Sequence, residues 1–156
     1  MAVYLDNNAT TALDEKVLEA MLPFMGQVTG NPSSVHRFGR LQKDAIEQAR
    51  ESVAELLGAR AEQVVFTSGG TEANNLALFG VIGSYNQKRK HIITTKIEHH
   101  AVLEVCHILE KRGYHITYLP VDKYGTVSPD SVRQAITDET ILISIMAANN
   151  VVGTLQ

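Results

Sequence analysis

Residues 63–75 read QVVFTSGGTEANN, and this stretch decides which class of fold the chain can adopt. The apolar run 64–66 is rich in β-prone residues and predicts a short strand. A turn of small residues follows at 67–71, and the apolar spacing over 72–83 is helical. The predicted buried face of that helix consists of Leu76, Phe79 and Gly80. A strand, a glycine turn and a helix in this order predict one unit of an α/β fold.

The turn has the composition of an anion-binding site. Gly69 and Gly70 lack a Cβ, so the backbone can approach a ligand closely. The first N–H groups of a helix have no partner within it and lie at the positive end of its dipole, which favours a phosphate. The same residue types also occur in turns that only reverse the chain, and neither glycine fingerprint for nucleotides is present. The turn alone leaves both interpretations open.

The composition is that of one globular domain, with 156 residues of which 44% are apolar and 20% charged. The net charge of −3 does not indicate nucleic-acid binding, and no apolar run has the length of a transmembrane helix. The N-terminus lacks the basic and apolar segments of a signal peptide. Cys106 is the only cysteine, which is typical of a reducing compartment. We therefore expect a cytoplasmic protein that binds neither membranes nor nucleic acid.

Two helices are predicted before the opening stretch. The first covers 15–25 with Asp14 as its N-cap, and Pro23 should end or kink it. The second begins at a cap formed by one of the serines at 33–34 and stops at Gly58. The predicted apolar face of the first helix is Val17, Leu18, Met21, Leu22 and Met25. That of the second is Leu41, Ala45, Ile46, Ala49, Val53, Leu56 and Leu57.

Three strand-like runs follow, at 91–95, 114–119 and 140–146. The third reads TILISIM and is mainly apolar, as expected of a strand buried on both faces. Helices separate them, one over 101–112 and one that begins with Ser128 as cap and Pro129 at the first helical position. Their predicted inward residues are Val102, Val105, Cys106, Leu109, Val132, Ala135 and Ile136. This alternation predicts a three-layer αβα fold with a mainly parallel sheet.

Polar groups follow each predicted strand. The glycine turn comes after the first strand, the sequence KIEHH at 96–100 after the second, and Asn149 and Asn150 after the last. The carboxyl ends of parallel strands share one edge of the sheet, and ligands of such folds bind there. An anion cradle, acid–base groups and amide groups should therefore converge at that edge.

The histidines and the cysteine allow more than one interpretation. His99 and His100 could act as a general acid or base or as a ring stacked on a cofactor, or they could be surface or capping groups. No histidine pair has the i, i+4 spacing of a metal site, so no metal is predicted. Cys106 falls on an inward helix face, which favours a buried core residue over a nucleophile.

Four motifs carry a resemblance to a known family. They are YLDNNATT at 4–11, GNPSSVHRFG at 30–39, FTSGGTEANN at 66–75 and TKIEHHAVL at 95–103, and ANNVVGTLQ at 148–156 matches a further family segment. Through them the whole chain resembles the N-terminal part of NifS/IscS-type cysteine desulfurases. These enzymes belong to the class V aminotransferases and to the pyridoxal 5'-phosphate (PLP) enzymes of fold type I.

The resemblance implies a role for four residues. Gly70 and Thr71 would hold the phosphate of PLP, and His99 would stack on the pyridine ring and help to move protons. Asn150 would hydrogen-bond near the phenolic oxygen of the cofactor or the substrate. The resemblance also implies an incomplete, aspartate-aminotransferase-like large domain over 14–156. An N-terminal arm, 1–13, would join the small domain of a full-length enzyme.

The implied reaction converts L-cysteine to L-alanine and leaves the sulfur as a persulfide on an enzyme cysteine. A sulfur-acceptor or scaffold protein would receive it for Fe–S cluster or thio-cofactor assembly, and the full-length enzyme would be a homodimer. A selenocysteine lyase or aminotransferase of the same fold is the alternative enzyme. A fragment that acts only by binding a partner through its unfinished sheet is the alternative without catalysis.

The chain departs from the family in two ways. Val151 stands where the family usually has glutamate, which removes a carboxylate next to Asn150. The family is also much longer, and its Schiff-base lysine, the aspartate paired with the pyridine nitrogen and the persulfide cysteine all lie downstream. None of the lysines present is in the family's lysine motif, these being Lys16, Lys43, Lys88, Lys90, Lys96, Lys111 and Lys123. We therefore expect this polypeptide alone to be inactive as a desulfurase.

Overall fold

The computed structural model describes residues 3–84 and 89–156. Residues 1 and 2 of the predicted arm, and Lys88, lie outside the described residues. The chain divides into two compact units, Met1–Phe66 and Thr67–Gln156. The boundary falls inside the stretch 63–75, so the predicted strand belongs to the first unit and the glycine turn to the second.

The first unit contains helix α1 (Glu15–Gly26), helix α2 (Arg37–Leu57) and a 3-10 turn at Ala61–Gln63. The carboxylate of Asp14 accepts the N–H of Lys16 at 2.9 Å, so the predicted cap is confirmed. Gly58 ends α2 in the left-handed region at φ 63°, also as predicted. Pro23 does not end α1, because the helix continues for three residues beyond it.

The predicted serine cap of α2 is wrong. His36 caps the helix, and its Nδ1 accepts the N–H of Gly39 at 3.3 Å. The serines are held in a turn by Asn31, whose backbone oxygen accepts the N–H of Ser34 and whose side chain accepts that of Ser33. The turn therefore delays the start of the helix to Arg37.

The predicted strand at 64–66 is also absent. These residues are extended but pair with no strand among the described residues. The carbonyl of Val64 accepts a hydrogen bond from Arg50 at 2.5 Å, and the guanidinium of Arg50 lies 5.0 Å from the centre of the Phe66 ring. The β-prone residues at 64–66 therefore form an extended segment that is not hydrogen-bonded to a neighbouring strand of the described sheet.

The second unit contains a parallel sheet flanked by helices. Its strands are β1 (His91–Thr95), β2 (His115–Leu119) and β3 (Thr140–Ile143), in the spatial order β2-β1-β3. Its helices are α3 (Gly70–Ser84), α4 (His100–Lys111) and α5 (Pro129–Ala135). The mainly parallel sheet of the prediction is confirmed.

The core of this unit lies on both faces of β1, all five residues of which are buried. Ile92 packs in one cluster with Leu78 of α3 and Val105 of α4. Ile93, on the opposite face, packs in a second cluster with Val132 of α5. Connections between parallel strands are right-handed, so stepping from β1 to β2 and back across to β3 places α4 and α5 on opposite faces. The layers are therefore α3 and α4, the sheet, and α5.

Three details of this unit differ from the sequence-based expectations. Strand β3 ends at Ile143 and is only half-buried, because it lies at one edge of the described sheet. In α3 the fully packed residue is Leu78, whereas Leu76 is exposed. Ile136 follows the last residue of α5 and is exposed. In each case the burial of a residue depends on the elements that pack against it. The spacing of apolar residues along the sequence does not specify those elements.

Among the helices described, none combines the length and the apolar character needed to cross a membrane.

Candidate functional site

His99 lies directly after β1 and caps α4. Its Nδ1 accepts the N–H of Ala101 at 3.1 Å, and its side chain is exposed. An accepting Nδ1 places the proton of a neutral ring on Nε2. The ring of His100 meets it edge-on, with centroids 6.3 Å apart. Neutral His99 can therefore donate a hydrogen bond from Nε2 while Nδ1 caps the helix.

Glu98, the residue before this cap, is buried, and spacing alone did not single it out. Its Oε1 accepts the hydroxyl of Thr95 at 2.8 Å and the backbone N–H of Met146 at 3.0 Å. The second bond joins the loop after β1 to the segment after β3. Glu98 is only 7% exposed and its side chain accepts hydrogen bonds from two donors, so its position is fixed by its surroundings.

Asn149 and Asn150 have different environments although they are adjacent. Asn149 is buried, and its Oδ1 accepts the N–H groups of Val151 and Val152, each at 2.9 Å. Its Nδ2 donates to the carbonyl of Ile97 at 3.2 Å. Asn150 is exposed on the turn that Asn149 organises. The first amide is therefore structural, and the second is accessible to a ligand.

The start of α3 carries Gly70 and Thr71, the other two residues singled out by sequence. The helix begins at Gly70, and the carbonyl of Gly69 accepts the N–H of Ala73. The carboxylate of Glu72 accepts both the N–H and the hydroxyl of Ser68, and these bonds lower the pKa of Glu72. The amides of Gly70 and Thr71 belong to the first helical turn, where N–H groups have no partner within the helix.

Neither packing nor backbone angle explains the two glycines of this turn. Gly69 and Gly70 have φ values outside the left-handed region. A Cβ at either position would have no heavy atom from elsewhere in the described chain within 4 Å. The turn therefore has open space at the N-terminus of α3. Such space fits the close approach of an anionic group such as a phosphate to the first amides of the helix.

All four residues singled out by sequence, Gly70, Thr71, His99 and Asn150, lie in the second unit. Hydrogen bonds join the loops that carry His99 and Asn150. A cleft of about 720 Å³ lies beside them, lined among others by Ile97, Tyr124 and Asn149, but by none of the four residues. Within 3–84 and 89–156, no group of three or more His, Cys, Asp and Glu side chains could hold a metal ion.

Cys106 is fully buried in the cluster around Ile92. Burial, together with the nearby carboxylates of Glu110 and Glu98, raises the pKa of its thiol to about 11. A thiol with so little thiolate at neutral pH is a poor nucleophile, and the predicted core position is confirmed.

The chain is similar to known proteins over almost its whole length. "Cysteine desulfurase IscS" of Dictyoglomus turgidum is 57% identical over 99% of this chain, which covers 39% of that protein. The structure of a "NIFS-LIKE PROTEIN" has a TM-score of 0.96 and 44% identity, covering all of this chain and 43% of that one. The structure described as "SspA in complex with cysteine" has a TM-score of 0.91 and 40% identity over 96% of this chain and 43% of that one.

The chain thus spans about two-fifths of the length of the curated relatives that it matches. The model of the aminotransferase class-V family matches residues 3–156, almost the whole sequence. The fold is accordingly that of the PLP enzymes of fold type I, with its large domain incomplete in this chain. The chain belongs to the class-V aminotransferase family.

Proposed function

We propose that this chain forms the phosphate-binding and ring-binding part of a PLP-dependent cysteine desulfurase. The observation that carries the proposal is the open glycine turn at the start of α3, in the same compact unit as His99 and Asn150. The similar proteins that are named cysteine desulfurases support the choice of reaction.

Each residue has a role that its position supports. The amides of Gly70 and Thr71 and the hydroxyl of Thr71 hold the phosphate at the N-terminus of α3. His99 presents a flat ring after β1 that would stack on the pyridine ring of PLP and take part in proton transfer during turnover. Asn150 offers an exposed amide to the phenolic oxygen of the cofactor or to the substrate. When bound, PLP supplies an electron sink for the chemistry at the amino acid.

The substrate of the longer protein is L-cysteine, and the products are L-alanine and a persulfide on an enzyme cysteine. That cysteine is not Cys106, because its thiol is buried and its pKa is raised. We place it outside this chain, together with the Schiff-base lysine. The sulfur then passes to an acceptor or scaffold protein, and the longer enzyme works as a cytoplasmic homodimer.

The same proposal includes a division of the chain. Residues 1–13 form an arm that joins the small domain of the longer protein, and 14–156 form the first half of its large domain. Val151 replaces a family glutamate, but its backbone N–H still supports the turn through Asn149.

Binding of PLP by the full-length gene product tests the phosphate site. We expect PLP to bind at least about tenfold more tightly than pyridoxal, which lacks the phosphate and its charge-assisted hydrogen bonds. Thr71→Val should weaken PLP binding and leave pyridoxal binding unchanged. Thr29→Val, at an exposed threonine of the first unit, is the control. Equal affinities for the two ligands would contradict the phosphate site.

Substrate assays test the reaction separately. The PLP-loaded gene product should release alanine from L-cysteine and transfer the sulfur to a thiol acceptor. Turnover restricted to selenocysteine would identify a selenocysteine lyase, and transfer of the amino group to a keto acid would identify an aminotransferase. Either result would replace the desulfurase assignment and keep the cofactor site.

A further inference from the structure

Two loops that carry predicted site residues are tied together by buried side chains. The first, 96–99, carries His99, and the second, 144–154, carries Asn150; we call them the two site loops. Between them run the bond from the Met146 N–H to Glu98 and the bond from Asn149 Nδ2 to Ile97. The bonded residues are 48 and 52 positions apart in sequence, so neither link comes from local structure.

Glu98 is the centre of this connection. One carboxylate oxygen accepts from Thr95 at the end of β1 and from Met146 beyond β3, so a single atom fixes the distance between two strand ends. In sequence, Glu98 immediately precedes His99, the N-cap of α4. The two hydrogen bonds that Glu98 accepts offset part of the cost of burying its carboxyl group.

We propose that Glu98 is a positioning residue for the cofactor site. Its carboxylate holds the two site loops in register, so that His99 and Asn150 face the same bound cofactor. The inference rests on the proposed function, because it assigns to Glu98 the alignment of two residues that the proposal places at PLP. Glu98 touches neither cofactor nor substrate in this role.

Three variants of the full-length gene product test the role of Glu98. Glu98→Ala removes the acceptor, and Glu98→Gln retains an acceptor oxygen in a side chain of the same length. Val105→Ala is the matched control, because it destabilises α4 from within the core and leaves the two site loops intact. The dissociation constant of PLP is measured by titration of each apo-protein, and unfolding by urea gives the stability of each variant.

Glu98→Ala should bind PLP roughly tenfold or more weakly, because the bond from Met146 that links the two loops and the bond from Thr95 are both lost. Glu98→Gln should restore the affinity to within about threefold, since a neutral acceptor makes the same bonds less strongly. Val105→Ala should lose stability and keep the affinity of the unmodified protein. Equal weakening in Glu98→Ala and Val105→Ala, or none in Glu98→Ala, would overturn the proposal.

Amide hydrogen exchange provides a readout that does not depend on the cofactor. In Glu98→Ala the N–H of Met146 should exchange faster, because its acceptor is gone. The N–H groups of Val151 and Val152 should keep their protection, because Asn149 accepts them within the same loop. Failure of the unmodified protein to bind PLP would refute the proposed function, whereas unchanged exchange at Met146 would refute the role of Glu98.

Discussion

At the scale of single residues, two positions of the first unit must be glycine because there is no room for a Cβ atom. A Cβ on Gly30 would lie 2.5 Å from the carbonyl oxygen of Phe38, and one on Gly39 would overlap the carbonyl oxygens of Ser34 and Asn31. Neither glycine has a positive φ, so the requirement is steric. The motif GNPSSVHRFG is therefore a tightly closed turn whose two ends meet through glycines.

Gly39→Ala should lower the free energy of unfolding by about 1–3 kcal/mol, because the added methyl group meets backbone atoms that cannot rotate away. Gly26→Ala is the control, since a Cβ there meets nothing within 4 Å. That variant should leave the stability unchanged or raise it by up to about 1 kcal/mol. Urea unfolding followed by circular dichroism measures both, and equal stabilities would refute the close contact at Gly39.

Residue-scale prediction succeeded where the signal is local. The cap at Asp14, the helix stop at Gly58 and the buried thiol of Cys106 each follow from a few neighbouring residues. Glu98 was missed because a carboxylate before a helix normally indicates a solvated position, and its partner Met146 is 48 residues away. The roles of Gly70, Thr71, His99 and Asn150 in binding PLP stay predictions.

At the scale of elements, helices could be predicted better than their buried faces. The bounds of α4 differ by one residue from the predicted 101–112, and its inward face is confirmed because α4 packs on the sheet of its own unit. The run 64–66 has the composition of a strand, but a strand exists only where a neighbour pairs with it, and composition does not supply the neighbour.

The face of α3 gives a direct test at this scale. Leu78 is 4% exposed and Leu76 is 52% exposed, although the sequence spacing favoured Leu76. In the 156-residue chain, Leu78→Ala should cost about 2–5 kcal/mol of unfolding free energy. Leu76→Ala should cost less than about 1 kcal/mol. Chemical denaturation compares the two, and a larger cost for Leu76→Ala would restore the face predicted from sequence.

The three strands are also joined by one buried histidine. In β1, His91 places Nδ1 2.8 Å from the hydroxyl of Thr140 in β3 and Nε2 2.9 Å from that of Thr117 in β2. Burial lowers the pKa of His91 below its usual 6.5, and His115 acts in the same direction while Glu139 opposes both. The folded protein therefore favours the neutral ring more than the unfolded chain does.

The free energy of unfolding should consequently decrease as the pH is lowered below the pKa of His91 in the unfolded chain, about 6.5. Below that pH the unfolded chain takes up a proton that the folded chain resists, and the loss is complete below the folded pKa. His91→Gln should reduce the slope of unfolding free energy against pH, measured by urea unfolding at several pH values. His100→Gln, at an exposed histidine, should not; an unchanged slope in His91→Gln would contradict this origin.

At the scale of the whole molecule, much apolar surface is exposed in this chain. Helix α1 has no buried residue, although its sequence has a clear apolar face. The exposed large side chains on it are Val17, Leu18, Met21, Leu22, Phe24 and Met25. Soluble monomers rarely expose an apolar patch of this kind without a partner for it.

We expect the 156-residue chain, produced alone, to self-associate as its concentration rises, because α1 offers an uncovered apolar stripe. Light scattering measures the mean mass against concentration. Met21→Gln combined with Leu22→Gln should shift association to higher concentration. Val35→Gln, at a highly exposed valine outside any helix, should have no such effect. A chain that stays monomeric throughout would contradict the expectation.

The central position of β1 has a consequence for the order of assembly. His91 of β1 is 26 residues from its partner Thr117 in β2 and 49 residues from its partner Thr140 in β3. Pairing β1 with β3 therefore closes a longer loop and costs more chain entropy. During synthesis β1, α4 and β2 also emerge before β3 exists. We expect pulse-labelled refolding to protect the amides of β2 before those of β3, and the reverse order would refute this. The link through Glu98 would then form last, so a nascent chain would complete its core before it could hold a cofactor.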